Sequence, residues 1–73
     1  MAEKKELRTR LAENGLTFVW LVNVLRLRGV NTDKSEMSSV VNGTRPGTKA
    51  NTIVDTSHII LDEYEKFLQS VTV

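Results

Sequence analysis

Four stretches of the chain carry apolar residues at helical spacing, separated by segments of glycine and polar residues. In the first, Leu7 and Leu11 stand four positions apart among charged residues. In the third, Met37, Val40 and Val41 follow the i, i+3, i+4 pattern of one helical face. No stretch alternates apolar and polar residues with the period of two that a half-buried strand shows. The pattern therefore predicts an all-α fold.

Capping residues and glycines set the limits of the predicted helices. Thr17 is a good N-cap for the second helix because its hydroxyl can accept a backbone N–H. Thr32 or Asp33 can cap the third helix, where Glu36 is placed to close a capping box. A glycine follows each of the first three helices and can take the left-handed conformation that ends a helix. We predict four helices, or five with a short additional one, in a single domain spanning residues 1–73, with limits of about 2–14, 17–28, 33–42 and 51–69.

The second stretch, residues 18–28, is rich in β-branched and aromatic residues, which also favour strands. Its length and its caps favour a helix, and helical spacing brings Val22, Leu25 and Gly29 to one face. We therefore predict a helix here as well. The residues expected in the core are Trp20, Leu21, Met37, Val40, Ile53, Ile60 and Leu61.

The composition of the 73 residues, with 40% apolar and 26% charged side chains, is that of an ordinary globular protein with a small core. The absence of cysteine excludes disulfides and thiolate metal sites, and a single histidine, His58, cannot build a metal cluster alone. No apolar run approaches the ~18 residues of a membrane span, and the charged N-terminus leads into no signal-peptide core. We expect a soluble, cytoplasmic protein with no cofactor and no metal.

Charge is unevenly distributed along the chain. Residues 1–30 carry six basic and three acidic side chains, whereas residues 51–73 carry one basic and four acidic side chains. The formal net charge of the whole chain is only +1. A basic end and an acidic end indicate one face for an anionic partner.

An enzyme is hard to build from these residues. General acid–base catalysis needs a titratable pair in a cleft, and His58, which has Asp55 and Asp62 at helical spacing, is expected to form only a solvent-facing ion pair. Ser35 and its neighbouring serines have no base nearby, and no glycine-rich phosphate loop is present. We therefore predict no enzymatic activity and no catalytic residue.

The most informative segment runs from Thr17 to Arg45. It contains a helix, a glycine turn and a short third helix whose outer face carries slim polar side chains, and a polar loop follows. Such a helix can enter the major groove of DNA, which is about 12 Å wide. Its N-terminus carries a partial positive charge that favours a phosphate group.

This segment resembles the helix-turn-helix of the phage lambda-repressor/Cro-like (XRE-type) family. The residues that carry the resemblance are Thr17, Leu21-Val22 and Leu25, then Gly29-Val30, then Met37-Ser38-Ser39-Val40, and then Asn42-Gly43-Thr44-Arg45-Pro46. With the fourth helix, the resemblance covers about residues 5–68. The family usually has a small residue at the position of Val22. The second helix and the turn are also longer here, as in some repressors of temperate phages of Gram-positive bacteria.

The resemblance implies a compact lambda-repressor-like domain that acts as a sequence-specific DNA-binding transcriptional regulator of phage or mobile-element type. In that family, the third helix lies in the major groove and reads bases from its first turn and from one turn further on. The matching positions here are Lys34, Ser35 and Ser39. The positions that match phosphate contacts are Thr17, Asn42, Thr44, Arg45 and Lys49. Each has a plainer interpretation as a surface residue, and Asn42 is equally well placed to cap the third helix.

The end of the fourth helix carries Tyr64, Phe67 and Leu68 beyond the length that a core of this size needs. These residues either contact the first helix or form a surface for a dimer or another partner. Two classes of function follow: a DNA-binding regulator that acts as a homodimer, and a protein-interaction module on the same fold, such as an anti-repressor that binds a partner repressor. The first class is the main prediction and the second is the alternative. The weak net charge and the acidic fourth helix favour the second class more than a pI near 8.1 would suggest.

Overall fold

The computed structural model describes residues 6–44 and 47–71. These residues form four helices and no strand: α1 (Leu7–Glu13), α2 (Phe18–Leu27), α3 (Lys34–Val41) and α4 (Thr48–Val71). Each of the three shorter helices packs against α4, and α2 also packs against α3. The prediction of an all-α fold is confirmed.

The N-termini of α2 and α3 are capped by side chains. Thr17 Oγ1 accepts the backbone N–H of Trp20 at 3.2 Å, and Asp33 Oδ1 accepts that of Glu36 at 2.7 Å. Asp33, and not Thr32, is therefore the cap of α3. The Thr32 hydroxyl instead donates to the Glu36 carboxylate at 2.7 Å, so both residues before α3 are bonded to its first turn.

The limits of the first and fourth helices differ from the predicted ones. α1 begins at Leu7 because Glu6 is extended, with ψ 145°, and it ends at Glu13 with Asn14 as its C-cap. Residues 2–5 of the predicted first helix lie outside the described residues. α4 begins at Thr48, before the predicted residue 51, because the Gly47 carbonyl already accepts the N–H of Asn51 at 3.0 Å. α2 and α3 end at residues 27 and 41, and the two glycines that follow, Gly29 and Gly43, have φ of +85° and +76°.

One apolar cluster joins all four helices. The buried apolar side chains are Leu7, Leu11, Leu21, Val22, Leu25, Met37, Val40, Ala50, Ile53, Ile60 and Leu61. All but one of the residues predicted for the core belong to this cluster. The exception is Trp20, which is half-buried at its edge and packs edge-to-face on Tyr64, with ring centroids 5.5 Å apart. The indole is at the edge because its position on α2 faces the side of α4, and not the centre of the bundle.

His58 is not the solvent-facing ion-pair residue that its neighbours predict. It is buried, with 6% of its surface exposed, because α1 lies over it. Arg10 Nη1 of α1 lies 3.0 Å from His58 Nδ1, and a guanidinium can only donate, so Nδ1 is the acceptor. Arg10 Nη2 also donates to Asp62 at 2.8 Å and to Glu65 at 3.0 Å. A single arginine thus fastens α1 to three residues of α4.

The hydrogen bonds and charges in the contact between α1 and α4 shift the pKa values of Arg10 and Glu65. Hydrogen bonds from Asn14 and Arg10, together with the positive charge of Arg10, lower the pKa of Glu65 below its ordinary value of 4.5, although desolvation acts in the opposite direction. Desolvation by itself would lower the pKa of Arg10, but the hydrogen bonds and charges of Asp62 and Glu65 outweigh it and raise the pKa. The charged form of each group is therefore favoured by folding.

We expect this contact to make the protein sensitive to acid. Glu65 has a lowered pKa in the folded state, so its stabilising contribution is complete above its ordinary value of 4.5 and is lost as the pH falls through the folded value. The free energy of unfolding, measured by urea titration from about pH 6 to about pH 3, should fall less steeply in Glu65→Gln than in the wild type. Glu6→Gln serves as a control, because Glu6 is exposed at the start of α1. An identical pH profile in the wild type and in Glu65→Gln would contradict this account.

Val22 stands at the position where the family that this segment resembles usually has a small residue. It is 5% exposed within the apolar cluster. We expect it to set the distance between α2 and α3. Val22→Ala should lower the free energy of unfolding by about 1–3 kcal/mol, because the removed methyl groups leave a cavity. Val19→Ala is the matched control on the same helix, since Val19 is half exposed. A thermal midpoint that stays the same or rises in Val22→Ala would show that Val22 is strained.

Candidate nucleic-acid interface

The first turn of α3 presents polar side chains to solvent. Met37 and Val40 are buried in the apolar cluster and hold one face of α3 against the bundle. Lys34 and Ser35 are exposed on the first turn. Ser39, one turn further on, is half-buried. Of the three residues predicted to contact bases, two are therefore exposed, and the third is half-buried.

Three of the residues predicted to contact phosphate already have hydrogen-bond partners within the protein. The Thr17 side chain is exposed, but its oxygen caps α2. Asn42 occupies the C-cap of α3, and its Oδ1 accepts a hydrogen bond from Arg8 Nη2 at 2.7 Å. The Thr44 hydroxyl donates to the carbonyl of Ser39 at 3.1 Å. These three residues lie on the surface, where they are accessible to a ligand in addition to these partners.

Arg45 lies outside the described residues, between Thr44 and Gly47 in sequence. Lys49 is described and is exposed on the first turn of α4. Its Nζ lies 3.2 Å from Glu36 Oε1 of α3, so its charge is paired within the protein.

Two further cations near α3 also have partners within the protein. Arg26 Nε donates to the carbonyl of Thr32 at 2.9 Å, which ties the end of α2 to the turn before α3. Arg28, the next cation along the chain, forms an ion pair with Glu63 of α4. The positive charge of this region is therefore partly neutralised by acidic residues, in agreement with a net charge of only +1.

Arg8 was missed by sequence reasoning. It lies on the exposed face of α1, with its guanidinium carbon 6.0 Å from the centre of the Phe18 ring and with Asn42 as a hydrogen-bond partner. These contacts place a cation of α1 beside the C-terminus of α3. Helical periodicity identifies Arg8 only as a polar position, and nothing in the sequence pairs it with a residue 34 positions away.

A polar cleft opens beside the first turn of α3. Its volume is about 300 Å³, and it lies between the end of α2, the turn before α3 and the first turn of α4. The residues that line it are Arg26, Asn31, Thr32, Asp33, Ser35, Glu36 and Lys49. Two cations and two carboxylates therefore meet beside the first turn of α3.

The C-terminal part of α4 extends the apolar face beyond the bundle. Tyr64 is half-buried against Trp20, whereas Phe67 is 64% exposed. Leu68 and Val71 are also exposed and lie on the same side of the helix by their spacing. α1 packs against α4, and the C-terminal part of α4 also presents an exposed apolar surface, so both interpretations of this segment stay open.

The described residues contain no group of three or more His, Asp or Glu side chains that could hold a metal ion. Among the helices formed by residues 6–44 and 47–71, none combines the length and the apolar character needed to cross a membrane. Comparison of the chain with protein-family models, with curated proteins and with solved structures finds no match.

Proposed function

We propose that the chain is a sequence-specific DNA-binding transcriptional regulator of phage or mobile-element type, with a lambda-repressor-like helix-turn-helix formed by α2 and α3. One observation carries the proposal. α3 is a short helix held to the core by Met37 and Val40, and its first turn exposes Lys34 and Ser35. A helix fixed on one side with donors on the other is what major-groove recognition requires.

The base contacts in this proposal come from the exposed Lys34 and Ser35. The half-buried Ser39 adds a smaller contact. A lysine ammonium donates to acceptors on guanine, and a serine hydroxyl both donates and accepts, so these side chains can discriminate base edges. Asp33 caps the helix and is exposed next to them. Its negative charge disfavours a phosphate directly at the N-terminus and favours an approach in which bases, rather than the backbone, face this turn.

The residues proposed to contact phosphate lie before and after α3 in the sequence. Thr17 precedes α2, and Asn42, Thr44 and Arg45 follow α3 in sequence. Lys49 lies on the first turn of α4. Each phosphate that a cation neutralises contributes about 0.9 to the slope of log K against log salt. Lys34, Arg45 and Lys49, together with an arginine at the end of α2, would give roughly four such contacts, so a single copy should bind weakly.

A homodimer would double these contacts, and the exposed end of α4 is the surface that we assign to it. Phe67 and Val71 are 64% and 63% exposed on the side that continues the buried stripe. Burial of the apolar surface of these side chains, at ~25 cal/mol per Å², would give an association free energy of only a few kcal/mol. Such a dimer would be weak in solution and reinforced on DNA, where two recognition helices lie about 34 Å apart.

A second candidate function is a protein-interaction module that binds a partner repressor through the same end of α4. The observation that favours it is the internal pairing of cations: Arg28 with Glu63, Lys49 with Glu36, and Arg10 with Asp62 and Glu65. Paired cations attract DNA less strongly, whereas the apolar surface of α4 is available to a protein.

Variants of the proposed interface test the first function. In fluorescence titrations with duplex DNA from the promoter region next to the gene, Arg45→Ala should weaken binding similarly on all sequences, because phosphate contacts carry no sequence information. Lys34→Ala and Ser39→Ala should change the preference for this DNA over a random duplex. Lys66→Ala removes an exposed lysine on α4 and is the control for loss of charge alone.

Equal affinity of wild type, Lys34→Ala and Arg45→Ala for every duplex would contradict the DNA-binding proposal. If Lys34→Ala lowers the affinity for promoter DNA only as much as Lys66→Ala does, α3 does not have the proposed base-reading role.

Phe67→Asp tests the dimer. Sedimentation of the wild type should show self-association at tens to hundreds of micromolar, as expected for a contact of a few kcal/mol, and Phe67→Asp should abolish it. Leu27→Asp is the matched control, because Leu27 is 87% exposed on α2.

A wild-type protein that stays monomeric at millimolar concentration and binds DNA as a single copy would contradict the dimer. A tight one-to-one complex with a repressor chain, lost in Phe67→Asp, would instead support the partner-module function.

A further inference from the structure

A continuous chain of polar contacts joins three helices at the first turn of α3. Arg26 Nε of α2 donates to the Thr32 carbonyl at 2.9 Å, and the Thr32 hydroxyl donates to Glu36 Oε1 at 2.7 Å. The same carboxylate oxygen lies 3.2 Å from Lys49 Nζ of α4. Glu36 is therefore the point at which the turn before α3, α3 itself and α4 meet.

Two contacts of the Glu36 carboxylate, with Thr32 and with Lys49, differ in burial. Thr32 is 4% exposed and the Glu36 side chain 15%, so their hydrogen bond is shielded from water and has a charged acceptor, which strengthens it. The Lys49 side chain is 61% exposed. An ion pair with so exposed a partner contributes little and is easily exchanged. The Thr32–Glu36 bond is therefore a fixed contact, and the Lys49–Glu36 pair is a replaceable one.

We infer that Thr32 and Glu36 are positioning residues for DNA recognition, an inference that rests on the proposed DNA-binding function. The Thr32–Glu36 hydrogen bond fixes the first turn of α3 and thereby the direction in which Lys34 and Ser35 face the bases. The Glu36 carboxylate also holds Lys49 in the free protein. When DNA binds, the Lys49 ammonium leaves Glu36 and pairs with a phosphate.

Loss of the Thr32–Glu36 hydrogen bond and loss of the Lys49–Glu36 ion pair should have different effects on DNA binding. Loss of the fixed contact lets the first turn of α3 move, which weakens base readout but leaves phosphate contacts intact. Loss of the negative charge on Glu36 frees Lys49 before DNA arrives, which adds to affinity on every sequence. Selectivity therefore depends on Thr32, and general affinity depends on the charge of Glu36.

The first test changes the hydroxyl of Thr32. The probes are a duplex that the wild-type protein selects from a random pool and a random duplex of the same length. Thr32→Val should lower the affinity for the selected duplex by about tenfold, the effect of one hydrogen bond to a charged group, and leave the random duplex unchanged. Thr32→Ser restores a hydroxyl and should recover selectivity. Thr52→Val is the matched control, because the exposed Thr52 hydroxyl donates only to the Thr48 carbonyl within α4.

The second test removes the charge of Glu36 and keeps its shape. Glu36→Gln retains an oxygen that can accept from Thr32, so selectivity should be close to that of the wild type. Affinity for both duplexes should rise, because no Lys49–Glu36 pair has to break before Lys49 reaches a phosphate. The slope of log K against log salt should stay that of the wild type, since Lys49 contacts a phosphate in both complexes. Circular dichroism at the titration temperature checks that each variant is fully folded.

The outcomes separate this inference from the proposed function. Loss of selectivity in Thr32→Val, with recovery in Thr32→Ser, supports the positioning role. If Thr32→Val keeps the wild-type preference for the selected duplex, the inference is overturned and DNA binding stays intact. The same holds if Thr32→Val binds the selected and the random duplex more weakly by the same factor. If the wild type selects no duplex, the proposed function and this inference fail together.

Discussion

The burial of three short helices against one long helix is the interaction on which the rest of the structure depends. α1, α2 and α3 have 7, 10 and 8 residues, fewer than the ~12–15 at which an isolated helix becomes marginally stable in water. They persist because their apolar faces share one cluster with Ile53, Ile60 and Leu61 of α4. The direction in which α3 presents its first turn is therefore set by α4 and by the polar contacts around Glu36, not by α3 alone.

Much of this arrangement follows from local sequence. The helical spacing of Met37 and Val40 predicts the face of α3 that is buried. The cap residues, Thr17 for α2 and Thr32 or Asp33 for α3, predict the starts of these helices to within one residue. These features depend on residues within one turn of each other. α4 begins three residues before the predicted residue 51. Proline and glycine indicate a break between helices, but they do not determine at which residue the next helix begins.

The features that local sequence could not predict all depend on contacts between distant residues. His58 has acidic neighbours at helical spacing, which favour exposure, but α1 covers it and brings Arg10 against its ring. Lys49 of α4 pairs with Glu36 of α3. Arg8 approaches Asn42 across 34 positions. Side-chain pairing across a bundle follows from the packing of the helices, which the spacing of apolar residues does not specify.

The central claim is that the first turn of α3 reads DNA, and nuclear magnetic resonance of the labelled protein tests it most directly. On addition of promoter DNA, the backbone amide shifts of residues 33–44 should change. At Lys34 and Ser35 the change should be larger with promoter DNA than with random DNA. Residues 55–63 of α4 serve as the internal reference. If residues 33–44 stay unchanged on both duplexes, or if only the end of α4 responds, α3 does not read DNA and the protein acts through a partner bound to α4.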